Sequence, residues 1–120
     1  MRTTTQGRAN EALAQWVCLA CQSGYKAGAL AKMRGVSTRQ LRRHCQHTFG
    51  RSPQDWLDEQ RIIAAGYLLK EFQCVKVVSL DLGFKQVSHF CRQFKSYYGL
   101  TPTAFVEVFE KYSRQIVRER

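Results

Sequence analysis

No run of apolar residues in these 120 positions approaches the roughly 20 that a bilayer-spanning helix needs, so a transmembrane segment is excluded. Met1 to Asn10 are polar and hold no apolar stretch of the kind that directs secretion. The chain is therefore expected to be soluble and cytoplasmic. Strand-like alternation of apolar and polar positions is missing throughout, which leaves an all-α fold. The five cysteines, Cys18, Cys21, Cys45, Cys74 and Cys91, are odd in number and accompany no secretory signal. They do not read as a disulfide framework, and are expected to be reduced and to act as small buried hydrophobes.

Metal and catalytic constellations are lacking too. Cys18-Leu19-Ala20-Cys21 has the spacing of half a zinc site or a redox pair, but there is no second such pair, and its place inside an amphipathic helix favours burial. His44 and His47 lie one helical turn apart without a third ligand, and read as ordinary surface histidines. An alkyl-transferring repair enzyme would need an activated cysteine, and none of the five has a recognisable signature. No enzyme activity, cofactor or metal is expected.

Acidic residues are scarce, 9 against 19 lysines and arginines, for a net charge of +10. Their placement says more than their number. None lies between Glu11 and Asp55, a stretch carrying Lys26, Lys32, Arg34, Arg39, Arg42, Arg43 and Arg51. None lies between Asp81 and Glu107, which encloses Lys85, Arg92 and Lys95. Asp55, Asp58, Glu59 and Glu71 gather between the two blocks. Two basic blocks about an acidic spacer suggest two contacts with a polyanion.

An internal repeat explains the two blocks. Gly50-Arg51-Ser52-Pro53 recurs 49 positions later as Gly99-Leu100-Thr101-Pro102. At the same offset Leu41 matches Phe90, Arg43 matches Arg92, Cys45 matches Phe94, Phe49 matches Tyr98 and Trp56 matches Phe105. Gly35 and Gly83 match at an offset of 48, so the second turn is one residue longer. Each copy reads as helix, turn, helix, glycine stop and a new helix. In the first, a short helix containing Leu30 and Ala31 ends near Gly35. Ser37 caps a second helix to about Phe49, Gly50 stops it, and Ser52 with Pro53 opens the next. In the second, Val75, Val78, Ser79 and Leu82 share a helical face, Gly83 turns the chain, and a helix runs from about Gln86 to Tyr98. Gly99 stops it and Thr101-Pro102 opens the last helix, with Phe105, Phe109, Tyr112 and Ile116 on one face and a fraying end at Val117–Arg120.

The expected organisation is a polar tail over 1–12, a helix bearing Leu13, Trp16, Val17 and Ala20 and ending at Gly24, and a first helix-turn-helix over about 28–50. A linker helix over about 52–71, with Trp56, Ile62, Ala65, Leu68 and Leu69 inward, joins it to a second helix-turn-helix over about 75–99. A C-terminal helix covers 102–118. In the second helix of the first unit, Leu41, Cys45, Thr48 and Phe49 are expected inside, with Arg39, Arg42, Arg43 and Gln46 opposite them. In that of the second, Phe90, Phe94 and Tyr97 are expected inside and Ser88, His89, Arg92 and Lys95 outside. These outward types are those that bond base edges in a major groove. Thr38, Gln46, Lys85, Gln86 and Lys95 sit where phosphate contacts are usual. A sequence-indifferent nucleoid or RNA-binding protein is the alternative that charge alone leaves open.

The chain also resembles the AraC/XylS family of transcriptional regulators over about residues 13 to 110. The resemblance is carried by Leu30-Ala31, Gly35-Val36-Ser37, Leu41, Gly50-x-Ser52-Pro53, Arg61-Ile62 with Ala65 and Leu68-Leu69. Its most specific part is Gly83-Phe84…Ser88-His89-Phe90-Cys91-Arg92-Gln93-Phe94-Lys95…Gly99-Leu100-Thr101-Pro102. It implies a two-lobed, homeodomain-like domain of about seven helices, whose two recognition helices (about 38–49 and 86–98) enter adjacent major-groove segments. By motif position, Arg39, Arg42 and Arg43 fall at reading positions of the first unit, and Ser88, His89, Cys91 and Arg92 at those of the second. Double-stranded DNA is the implied partner, with activation through RNA polymerase, nucleoid association, no membrane and a DNA-binding unit that works as a monomer. Cys45 stands where the family has a large aromatic, and Ser79 where it has a small alanine. Residues 1–12 could not form the sensor domain that most members carry, so a single-domain member or part of a longer regulator is expected.

Overall fold

The computed structural model describes the backbone of residues 2–119 and the side chains of residues 11–115. Among the described residues there are seven helices and no strand: α1 Arg2–Gln22, α2 Ala27–Arg34, α3 Thr38–Phe49, α4 Pro53–Phe72, α5 Val75–Asp81, α6 Val87–Tyr98 and α7 Pro102–Glu119. They form two compact units, residues 1–61 and 62–120, and α4 runs through the division between them. α1 starts at Arg2, so the segment expected as a polar tail is helical; it lacks an apolar stripe, the signal by which a helix shows in sequence. The backbone of α7 continues to Glu119, and the side chains of Ile116 to Arg120 lie outside the described residues.

The punctuation expected from the repeat is present in both units. Gly50 and Gly99 close α3 and α6 with φ of 68° and 80°, a left-handed conformation that an L side chain resists. Ser52 Oγ accepts the Asp55 amide at 3.2 Å, and Thr101 Oγ1 accepts the Ala104 amide at 3.2 Å, so both following helices begin on a side-chain cap. The reading helices themselves start differently. Ser37 and Gln40 form a reciprocal capping box on α3, whereas the Gln86 side chain makes no cap on α6.

In the first unit Trp16, Ala20, Tyr25, Leu30, Ala31, Leu41, Cys45, Trp56 and Leu57 are buried. Cys45 is fully buried, and the aromatic mass of this core comes from Trp16, Phe49 and Trp56, the last two stacked at 4.4 Å. Leu13 and Val17 are 51% and 42% exposed, so the inward stripe of α1 is narrower than expected. Leu57, which the stripe reading omitted, is fully buried, and Leu68 is only half-buried.

Gln54 fastens the turn between α1 and α2. Its Oε1 accepts the Ala27 amide at 3.2 Å, and its Nε2 donates to the Tyr25 carbonyl at 3.1 Å and to the Asp58 carboxylate at 2.9 Å. Tyr25 needs such support, since it holds φ of 60° without being glycine. Gln54→Ala is expected to lower the stability of the first unit by about 1–2 kcal/mol, read as a shifted urea midpoint at unchanged slope.

The second unit is built on a run of rings. Phe84 meets Phe90 at 5.1 Å, Phe90 meets Phe94 at 5.7 Å, and Phe94 meets Tyr98 at 4.4 Å and Phe105 at 5.2 Å. Such pairs add about 0.5–1.5 kcal/mol each beyond the area they bury. The stripe of α6 is closed by Tyr98 and not by Tyr97, which is 48% exposed. Steps of four from Phe90 lead through Phe94 to position 98, and the Tyr98 hydroxyl donates to the Ile62 and Ile63 carbonyls at 3.2 and 3.3 Å. In α7, Phe105 and Phe109 are half-buried, and Tyr112 is 63% exposed instead of lying on the inward face.

Ser79 is fully buried, and its hydroxyl has no hydrogen-bond partner. Burying a hydroxyl unsatisfied costs about 1–3 kcal/mol in protein series. Ser79→Ala is therefore expected to raise stability by about 1 kcal/mol, measured as a higher urea midpoint; a lower midpoint would contradict the orphaned hydroxyl.

Candidate nucleic-acid interface

The helices whose outward faces were expected to read DNA are amphipathic in the required sense. On α3, Leu41 and Cys45 are buried, while Thr38, Arg39, Arg42, Arg43 and Gln46 are all exposed. Thr48, expected inside, is exposed, and its hydroxyl lies 3.4 Å from His44 Nε2. On α6, Phe90 and Phe94 are buried, while Ser88, His89, Arg92 and Lys95 are exposed, with Lys85 and Gln86 exposed just before the helix. Cys91 is half-buried, between the core stripe and the outward face, so its thiol offers less surface than the other expected reading residues.

Among the described residues no carboxylate pairs with the cations of these faces. Among the described residues the ion pairs are Arg51 with Glu59, and Arg61 with Asp58 at 3.5 Å. Both lie outside the reading faces. Arg39, Arg42, Arg43, Arg92 and Lys95 thus keep their charge for an external anion, and no carboxylate in the same acid-free stretches repels it.

Several neighbours restrain the outward side chains. His89 lies edge-on to Phe84, 5.7 Å away at 81°, and its Nε2 is 3.0 Å from Gln93 Nε2. In the first unit, the Trp16 ring carries the His44 ring stacked at 4.6 Å and the Arg34 guanidinium at 4.6 Å from its centre. His44 is thereby tied to α1, although it is exposed. The sequence places Arg34 in the first basic block and Gln93 in the family signature, but gives neither a role at these faces. Gln93 shows only as the i+4 neighbour of His89, and the Arg34–Trp16 contact spans two helices without any local signal.

The thiols depart most from expectation. Cys18, Cys21 and Cys74 are exposed, Cys91 is half-buried, and only Cys45 is in a core. All five are free. Burial pushes the Cys45 thiol up, which keeps it protonated and a poor nucleophile. Among the described residues no group of three or more His, Cys, Asp or Glu side chains could hold a metal ion. No helix among them is long and apolar enough to cross a membrane.

A helix-turn-helix domain family matches residues 30–107, which takes in α3, α4, α5, α6 and the start of α7. The chain belongs to the AraC/XylS-type helix-turn-helix family. An uncharacterised HTH-type transcriptional regulator of Haemophilus influenzae is 33% identical over 85 residues, 70% of this chain and 28% of that protein. The chain spans about a quarter of the length of the curated relatives it matches. Among solved structures, a DNA-binding transcriptional dual regulator from Escherichia coli K-12 superposes with a TM-score of 0.66 at 26% identity, covering 72% of this chain and 78% of the other. A probable AraC family transcriptional regulator from Rhodopseudomonas palustris shares the fold, with a TM-score of 0.59 at 24% identity over 70% of this chain and 81% of the other. Both solved proteins share the helical frame on which this chain's exposed arginines are mounted.

Proposed function

We propose that this AraC/XylS-type chain is the DNA-reading part of a sequence-specific transcriptional regulator, with α3 and α6 as recognition helices set in adjacent major-groove segments. One observation supports this above the rest: in both repeat copies, the face opposite the buried stripe carries exposed cations that no carboxylate among the described residues pairs with. An α-helix fits the major groove, and arginine can donate two parallel hydrogen bonds to guanine O6 and N7. Arg39, Arg42 and Arg43 are assigned to base edges in the first segment, and Ser88, His89, Cys91 and Arg92 in the second. Thr38, Gln46, Lys85, Gln86 and Lys95 are assigned to phosphates, where they set register without carrying sequence information. The reading places the protein at the nucleoid, has one chain bind as a monomer because it holds both readers, and has it activate transcription by touching RNA polymerase.

The test is competition between a duplex selected for tight binding and a scrambled duplex of equal length, repeated across salt concentrations. A specific reader should prefer the selected duplex by roughly a thousandfold or more. A preference of only a few-fold, with affinity collapsing at moderate salt on both duplexes, would favour sequence-indifferent binding to the phosphate backbone.

A further inference from the structure

The second unit holds a cleft of about 220 Å³ that the DNA reading does not use. From α4 it is lined by Ile63, Tyr67 and Lys70, and by Gly66, against which the Tyr98 ring packs; Tyr97 and Phe105 come from α6 and α7. Three features of it are unusual for an ordinary surface. Tyr67 and Tyr97 are 70% and 48% exposed, so two large rings stand with little covering them. The Lys70 ammonium sits 5.5 Å from the centre of the Tyr67 ring and 5.8 Å from that of Phe109, held between two π faces. Among the described residues no carboxylate pairs with it.

We propose that this cleft binds a small planar aromatic carboxylate, its ring among the aromatic side chains and its carboxylate on Lys70. Size agrees: an apolar cavity of roughly 150 Å³ admits benzene, so this volume takes one ring with a short acidic arm. Charge selects the class. A cation would be repelled by Lys70, and a neutral ring would cover the ammonium without satisfying it, whereas a carboxylate supplies a charge-assisted hydrogen bond. The phenols of Tyr67 and Tyr97 add donors that an anion can use. None of the lining residues is assigned to a base or phosphate, so the site stands or falls apart from the DNA reading.

The test uses the full chain, ¹⁵N-labelled, titrated with cinnamate, with its uncharged counterpart cinnamyl alcohol, and with acetate at matched ionic strength. Cinnamate should shift amides of residues 63–70, 97–98 and 105 saturably, with a Kd on the order of 1 mM, as expected of a ligand of about a dozen heavy atoms. Acetate should produce no saturable shift there, and the alcohol should bind roughly tenfold more weakly. Lys70→Met, at an exposed position that keeps the stem's packing, should reduce cinnamate to the affinity of the alcohol. The proposal is overturned if cinnamate gives no saturable shift at about twenty times that Kd. It is equally overturned if the shifts centre on the arginines of α3, if the alcohol binds as tightly, or if Lys70→Met binds cinnamate like the parent chain.

Discussion

Gly66→Ala should destabilise the second unit by about 2–3 kcal/mol, against the usual direction of such a change. Inside a helix, replacing glycine by alanine ordinarily gains about 0.5–1 kcal/mol, because glycine loses more backbone freedom on folding. Here the added methyl would run into the Tyr98 hydroxyl and lie 2.9 Å from Cζ of its ring. That ring cannot simply swing away. It packs on Phe94 and Phe105, and its hydroxyl serves the Ile62 and Ile63 carbonyls. Overpacking of about 1–3 kcal/mol and the broken hydrogen bond together outweigh the helix-propensity gain. Tyr98→Phe removes the atom nearest the new methyl, so in the Gly66→Ala background it should cost less than alone. Urea denaturation of the four chains of this cycle gives the coupling directly. Independent, additive effects would show that Gly66 is tolerated for another reason.

Arg92→Ala should weaken binding to the preferred duplex by about 1–3 kcal/mol, roughly five- to 150-fold, while leaving affinity for random duplex nearly unchanged. Arg92 is exposed on α6, on the face opposite Phe90 and Phe94, and no carboxylate among the described residues neutralises it. Lys85→Ala provides the contrast. Removing a cation that holds a phosphate should weaken all duplexes alike and lower the salt slope by about one. Fluorescence anisotropy on both duplexes across salt separates the two behaviours. If Arg92→Ala lowers affinity equally on every sequence, that residue belongs with the phosphate contacts.

How much of this was legible depended on how local the signal was. The helix stops at Gly50 and Gly99, the caps Ser37, Ser52 and Thr101, and the outward arginines of α3 and α6 all follow from neighbours within a few residues. Turn geometry and helical periodicity act at that range, so the sequence alone reveals them. Periodicity orders residues around a helix but does not say how wide the covered stripe is. That is why the sequence predicts Leu13, Val17, Cys18 and Cys21 inside although they are exposed, and predicts Tyr97 inside where Tyr98 closes the stripe. Contacts between distant segments left no pattern to find: Gln54 on the Tyr25 turn, Arg34 on Trp16, and Tyr98 over Gly66 each join elements that only folding brings together. Helix α1 reaches back to Arg2 through a stretch with no apolar repeat, and without that repeat helical backbone leaves no periodic mark in the sequence.

Two helices reading separate stretches of one DNA site are the central claim. Selection from random duplexes, run in parallel on the parent chain, Arg43→Ala and Arg92→Ala, addresses it most directly. The parent should yield a site with two informative segments. Arg43→Ala should erase base preference in one segment alone, and Arg92→Ala in the other. A single informative segment, or loss of preference in the same positions by both substitutions, would contradict the proposal that each repeat copy carries its own reader.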